Sequence, residues 1–492
     1  MIVIIGNTSL NVAIPTLSRE LGATTSQLQW IVDGYGLVFA GLLFTAGALG
    51  DRFGRKGALQ LGLLTFLAGS VFAAFAAGAW AIIVGRVIMG LGAAFIMPAT
   101  LSILTNVFSA AERPKAIAIW AAISFGGAAI GPVISGFLLE HFWWGSVFLV
   151  DVPVIVIALA AGHVLMPTSR DPEQARLDPI GALLSIAGLG TLVYAIIEAP
   201  NHGWTSTTSV GWFVAALALI AAFITWERRT AEPMLDLELF QNRRFSVAAG
   251  GIGLVYFAMF GTFFLMAQYF QSVHGYSAFQ SGLMQVPFAI TVILVGPRSP
   301  KLVARFGANK VVAGGLLCVA IAQVGMSLVD ITTPYAIIVL PMILMSAGMA
   351  NIVSPMTTSI MSAVPLRKAG VGSAMNDTTR ELGGALGVAV LGSVAASRFT
   401  SHLRPSLDVI PAAQRFEASR SVSAAIRVGN QLGGDAGQAY ADAARRAFMS
   451  GSHTASVVAS CVALIAAAIV YRLLPGLTQP QTQVAARAEI TV

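Results

Sequence analysis

Charge is what this chain lacks most. Only 10% of its 492 residues are Asp, Glu, Lys or Arg, against about 25% in an average soluble domain, so a water-facing catalytic domain of this size is excluded. Cysteine is nearly absent too. Cys318 and Cys461 both fall inside apolar stretches, where a thiol reads as a small core hydrophobe, and neither a disulfide framework nor a cysteine-based metal site is expected. His141, His163, His202, His274, His402 and His453 are scattered without the spacing of metal ligands. The stretch GGIG from Gly250 lies in an apolar run with no strand before it, which argues against a dinucleotide site. No enzyme activity, metal or cofactor is expected.

What the chain has is hydrocarbon. It is 56% hydrophobic, with a mean hydropathy of +0.78. At 1.5 Å per residue, about 20 residues cross the roughly 30 Å of bilayer hydrocarbon. Fourteen stretches qualify or nearly so: 1–17, 28–49, 58–77, 80–104, 116–139, 145–166, 179–199, 210–227, 247–273, 281–297, 311–329, 335–360, 370–396 and 453–473. The expected fold class is therefore an all-α polytopic membrane protein of about fourteen transmembrane helices. The first stretch starts without a basic flank, so the natural N-terminus is expected to extend further.

Orientation follows from Lys and Arg in short loops. One side collects Arg52, Arg55, Lys56, Arg113, Lys115, Arg170, Arg176, Arg228, Arg229, Arg243, Arg244 and the basic residues between 298 and 310, while the short loops opposite hold Arg19 alone. This places both termini in the cytoplasm and the chain in the cell (plasma or inner) membrane. The net charge of +7 then reflects topology and contact with anionic lipid, and no nucleic-acid partner is needed.

A weak internal repeat points to two related halves. Arg52-Phe53-Gly54 recurs as Arg305-Phe306-Gly307, Pro98 as Pro355, and Gly126-Gly127-Ala128 as Gly383-Gly384-Ala385, although Ala304 stands where the first copy has Asp51. The expected organisation is a six-helix half at 1–166, two linker helices with cytoplasmic loops at 167–246, a second six-helix half at 247–473 and a cytoplasmic tail at 474–492. The second half includes an extracytoplasmic segment at 397–452, rich in Ala, Ser and Arg and expected to lie as an amphipathic helix on the outer surface. Two halves around a midplane site are the common plan of secondary transporters.

Among the motifs, GALGDRFGRK from Gly47 to Lys56 is a charged turn wedged between two long apolar stretches. Gly50 and Gly54 allow a sharp turn, Asp51 offers an acceptor at the membrane surface, and Arg52, Arg55 and Lys56 supply positive-inside charge. IIVGRVIMGLGAAFIMP places Arg86 several residues inside a membrane stretch, where a buried arginine faces a cavity or a partner unless it snorkels to the interface. GGAAIGPVISG brings Gly127, Gly131 and Gly136 for close helix contact, with Pro132 as a bend and Ser135 in place of a further glycine. WIVDGYGLVFA from Trp30 carries Asp33, either an intramembrane acid, and so a functional position by default, or a helix start at the outer rim. NDTTRELGGALG carries Asp377, Arg380 and Glu381. The two acids share one helix face with the base at its edge, so one carboxylate is left over; the alternative is a helix start with solvated acids.

These stretches, together with HFWWGSVFLVDVP from His141 and RELGGALGVAVLGS, resemble the major facilitator superfamily, and within it the fourteen-helix drug:proton antiporters of the QacA/EmrB type. The resemblance implies a secondary active exporter of lipophilic or amphipathic small molecules such as drugs, antiseptics and antibiotics. Export would be driven by the proton gradient through alternating access, by a monomer whose partners are its substrate, protons and the lipid bilayer. It assigns proton coupling to Asp33, Arg86, Asp377 and Glu381. It assigns the conformational-switch loop to Gly47, Gly50, Asp51, Arg52, Gly54, Arg55 and Lys56, and the antiporter motif to Gly127, Gly131, Pro132 and Gly136. Tyr35, Trp120, Phe264 and Gln268 are the candidates for the substrate cavity. Two departures bear on specificity. Gly6 stands where related exporters often carry an aspartate, and Thr291 and Val292 stand where some carry another acid, so cation-recognising charge is expected to be reduced and dicationic substrates disfavoured. A dedicated exporter of an endogenous metabolite, lipid or self-made antibiotic is the competing reading, and a non-transporting sensor comes after both.

Overall fold

A computed structural model describes residues 2–107, 127, 130–166, 178–230, 233–364 and 369–474; at 4, 7, 48, 51–53, 101–102, 104–107, 165, 369–371 and 373 it describes the backbone only. Among these residues every regular element is a helix. The first part holds α1 (Ile2–Leu21), α2 (Thr25–Phe53), α3 (Arg55–Ala74), α4 (Ala79–Val107), α5 (130–141), the short α6 (Ser146–Leu149) and α7 (Asp151–Leu165). A hairpin follows, α8 (Pro179–His202) and α9 (Thr207–Arg229). The second part holds α10 (Arg243–Gln268), α11 (Ala278–Leu283), α12 (Val286–Val295), α13 (Ser299–Phe306), α14 (Ala308–Ser327), α15 (Tyr335–Ala363), α16 (Ala369–Leu403), α17 (Ala412–Ser419), α18 (Val422–Leu432) and α19 (Gly434–Leu473).

Local chemistry sets these boundaries. Thr24 caps α2 through a reciprocal box, its hydroxyl accepting from the Gln27 amide while the Gln27 side chain accepts from the Thr24 amide. Asp178 caps α8, with Pro179 in the first turn. Gly54 breaks α2 from α3 at φ 116° and Gly307 breaks α13 from α14 at φ 87°, a region of backbone space that a side chain disfavours. The Arg-Phe-Gly repeat thus recurs as the same backbone break. Twelve helical segments among the described residues are long and apolar enough to cross a membrane. The other two expected spans are α1, which falls below that hydropathy, and α5, of which only part is described.

Glycine brings the helices close. A Cβ on Gly92 of α4 would lie 2.6 Å from the carbonyl oxygen of Gly62 on α3, and one on Gly69 would lie 2.7 Å from the Met89 nitrogen, so these two helices touch backbone to backbone. The α8–α9 hairpin lies against both α2 and α16, where Leu37, Val193, Ile196, Ile197, Ala385 and Ala389 form their own apolar cluster. The segment 397–452 differs from the single surface helix expected of it. It folds as the end of α16, a tight turn, α17, α18 and the start of α19, and its Ile410, Ala418, Val422, Ala425, Val428 and Tyr440 belong to the main apolar core. Cys318 is half-buried and Cys461 faces outward, so only the first has a core-like setting.

Candidate functional site

Because α2 is capped at Thr24, Asp33 lies about 12 Å along the helix at 1.5 Å per residue, and it is no helix-start residue. Its side chain is 1% exposed, and neither carboxyl oxygen accepts a hydrogen bond among the described residues. An acid held out of water without a donor is costly while ionised, and a proton relieves that cost. Glu381 meets it from α16. The two carboxylates border one small cavity together with Val32, Gly36, Phe260, Gly384 and Ala385, and Glu381 Oε2 lies 3.4 Å from the Cβ position of Gly36. Residues 348 positions apart in sequence (381 less 33) thus share one site, because Gly36 on α2 and Gly384 on α16 leave the room.

Arg86 does not snorkel. It is fully buried on α4, where its Nε donates to the carbonyl of Ile31 at 2.9 Å and its NH1 to the carbonyl of Gly6 at 3.2 Å. Its guanidinium lies 4.2 Å from the centroid of the Tyr35 ring, a cation–π contact of the strong, desolvated kind. The two acids of α16 part company. Asp377 pairs with Arg380 at 3.4 Å, and Arg380 lies over the Tyr256 ring at 4.8 Å on the α10 side, while Glu381 turns toward α2. The expected leftover carboxylate is Glu381, and its place well inside α16 removes the helix-start alternative.

None of the expected wall residues that are described borders this cavity. Tyr35 is fully buried, its hydroxyl donating to the Val3 carbonyl at 3.3 Å, so it packs on Arg86 instead of lining space. Phe264 is buried against the backbone of Gly392, and Gln268 donates to the Phe264 carbonyl of its own helix at 3.3 Å. The wall residue is Phe260, one helical turn before Phe264. Trp120 lies outside the described residues. At the antiporter motif, Gly127 is buried, the Gly131 carbonyl accepts from Ser9 Oγ at 3.1 Å, and Ser135 Oγ donates to the Ser9 carbonyl at 2.7 Å. A Cβ on Gly136 would lie 2.6 Å from the Ala278 oxygen, and the Pro132 carbonyl abuts Gly282. The motif therefore packs α5 against α1 on one side and α11 on the other. In the switch loop, Gly47 packs on Pro98, Gly50 faces Ala58, and Lys56 Nζ donates to the His163 carbonyl at 2.7 Å. The side chains of Asp51 and Arg52 lie outside the described residues; Arg55 opens α3 directly after Gly54.

One buried acid escaped the sequence reading. Asp151, the first residue of α7, is 1% exposed, and among the described residues neither of its oxygens accepts a hydrogen bond. Its Oδ2 lies 2.9 Å from where a Cβ of residue 6 would stand. The absence of an acid at Gly6 therefore does not leave that place without a carboxyl group. An acid in an apolar run, as in VFLVDVP, was the available signal.

At the end of the molecule away from Gly54, side chains stitch the two parts together. Gln29 Nε2 lies 3.1 Å from the Val388 oxygen, 3.0 Å from the Ala389 oxygen and 3.2 Å from Ser393 Oγ. Gln271 Nε2 donates to the Val12 carbonyl at 2.7 Å, and Ser18 bonds Ser421 at 2.9 Å.

Comparison with known proteins agrees with this architecture. Residues 1–388 match the model of the Major Facilitator Superfamily. The chain is 34% identical over 476 residues to the multidrug efflux pump LfrA of Mycolicibacterium smegmatis, covering 96% of this chain and 93% of that protein. It is 36% identical over 477 residues to the methyl viologen resistance protein SmvA of Salmonella typhimurium, covering 96% and 95%. It is 32% identical over 484 residues to the tetracenomycin C resistance and export protein of Streptomyces glaucescens, covering 95% and 88%. Among solved structures, a bacterial homologue of the lysosomal transporter Spinster, inward-facing and unoccupied, aligns with a TM-score of 0.63 at 17% identity, covering 97% of this chain and 96% of that one. By sequence over most of its length and by fold throughout, this chain belongs to the Major Facilitator Superfamily.

Proposed function

We propose that the protein is a secondary active exporter of lipophilic or amphipathic small molecules, driven by proton antiport through alternating access. The observation that carries this reading is the pair Asp33 and Glu381, a fully buried and a half-buried carboxylate from opposite parts of the chain bordering one cavity. Protonation removes buried charge from the seam between α2 and α16 and lowers the cost of changing sides. Each charge crossing 100 mV gains about 2.3 kcal/mol, enough to drive such a cycle. The named activities of the relatives, multidrug efflux and resistance, support the substrate class. We place the protein in the cell membrane with both termini in the cytoplasm, from the distribution of Lys and Arg. On that orientation the stitched end bearing Gln29 is the outer one, and the described state is closed to the outside. Two halves, 1–166 and 247–473, would rock about the site, with the residues at 167–246 between them.

Efflux of a fluorescent lipophilic cation from loaded cells tests this. Efflux should be fast in cells producing the protein and collapse when an uncoupler is added; efflux indifferent to the uncoupler rejects proton antiport. A second reading, dedicated export of one self-made compound, has support in the likeness to a tetracenomycin C export protein. Deletion and overproduction against a panel of unrelated drugs decides between them, since a dedicated exporter changes resistance to one chemical class alone.

A further inference from the structure

Arg86 bonds the carbonyls of Ile31 and Gly6, and the charges of two acids reach it, Glu381 of α16 and Asp151 of α7. Gly6 stands between Arg86 and Asp151: its carbonyl accepts from Arg86 NH1 at 3.2 Å, while the space its missing side chain leaves is filled by Asp151 Oδ2 at 2.9 Å, the Phe66 ring edge at 3.2 Å and the Met89 methyl at 3.6 Å. We propose that Asp151 is a second proton-exchanging carboxylate of the transport cycle, set against Arg86 across Gly6. The inference rests on the proton-antiport reading above.

The surroundings leave Asp151 few other roles. A structural acid at the start of a helix accepts hydrogen bonds from the first-turn amides, yet neither Asp151 oxygen accepts one among the described residues. The packed elements supply few charges. From α4 comes Arg86, and from α2 comes Tyr35, whose ring lies under the Arg86 guanidinium. From the α1 side comes no ionisable side chain before Arg19, the α-amino group adding the one further charge felt at Asp151, and α6, Ser146–Leu149, has none. From α3 comes Phe66, its Lys56 being engaged at the far end of α7 with the His163 carbonyl. One cation facing two carboxylates balances one of them, and the other is relieved by a proton. When Arg86 serves Glu381, Asp151 holds its proton. When it serves Asp151, the carboxyl O–H breaks, the proton passes to water on the side then open, and the carboxylate is balanced by the guanidinium, while Glu381 takes a proton from water in its turn and becomes neutral.

The test uses the full-length protein in inverted vesicles, with substrate transport measured across a pH series. Asp151→Asn keeps the shape and removes the titration. The expected result is a loss of at least tenfold in pH-gradient-driven transport and a flattened pH profile, with fluorescent-substrate binding retained. Gly6→Asp combined with Asp151→Asn returns an acid to the same space from α1 and should restore a pH-dependent rate. In detergent, the infrared carbonyl band of protonated carboxyl groups should lose one titrating component in Asp151→Asn. A variant whose profile superimposes on the wild type, or whose rate falls with the profile and the infrared titration unchanged, overturns the inference. A wild-type protein with no pH-driven transport overturns the antiport reading itself, and this inference with it.

Discussion

At the scale of the residue, the site is a set of charges inside the helix bundle sorted by partner. Asp377 has Arg380 at 3.4 Å, and Asp33 has no donor among the described residues. Asp33→Asn, which mimics the protonated acid, should therefore abolish proton-driven efflux with the protein still in the membrane. Whole-cell dye efflux at neutral pH checks this, and wild-type rates would exclude Asp33 from coupling. Glu381→Gln should impair coupling at least tenfold more than Asp377→Asn, a difference worth about 1.4 kcal/mol, measured as the pH dependence of transport in vesicles. Asp33, Arg86 and Glu381 were legible because a charge inside an apolar run is conspicuous on its own. Asp151 obeys the same rule and was passed over because it opens its helix, where an acid has an ordinary reading as a first-turn residue. The cavity wall was not legible, since Phe260 and Phe264 lie four apart on α10 and only the packing of α16 decides which one borders open space.

At the scale of the element, glycine decides how near the helices come. A Cβ on Gly383 would lie 2.7 Å from Gly253 Cα, while one on Gly250 would meet nothing within 4 Å. Gly383→Ala should thus force α10 and α16 apart and cost about 1–3 kcal/mol, whereas Gly250→Ala should be neutral. Thermal midpoints of the two purified variants in one detergent check the contrast, and equal midpoints would contradict it. The bonds of Gln29 to α16 hold the seam at the stitched end, and an interhelical side-chain bond in a membrane protein is worth about 0.6 kcal/mol, reaching roughly 1.7. Gln29→Leu should move the population toward the state open at that end by about threefold or more. Labelling of a cysteine placed in the cavity by an impermeant thiol reagent reads that shift, and an unchanged labelling rate would remove Gln29 from the gate. The apolar runs announced these helices and the glycines announced close contact. Which glycine faces which helix was hidden, because small residues recur on every face of these spans. The fold of 397–452 was hidden as well, since its alanines read alike as surface and as core.

At the scale of the whole molecule, the chain is held at one end by bonds that cross between its two parts, and the Gly54 turn lies at the other. Asp51, whose side chain lies outside the described residues, belongs to that other end. A conformational latch there should act only when that end closes, so Asp51→Asn should slow turnover several-fold with substrate affinity nearly unchanged. Separate measurement of binding and transport decides it, and lost binding with an intact turnover rate would contradict a latch. The architecture was legible from hydropathy and from Arg-Phe-Gly, whose two copies both end in a glycine at positive φ.

The α8–α9 hairpin has a consequence for how cargo arrives. It touches α2 at Leu37 and α16 at Ala385 and Ala389, and its outer face is bare: Leu183, Val214 and Leu217 are 68%, 60% and 63% exposed. It therefore covers the α2–α16 seam like a shutter, with hydrocarbon on one side and the two carboxylates behind the other. A compound dissolved among the lipid tails has no sideways path to Asp33 and Glu381 at this seam, and must reach them by another route.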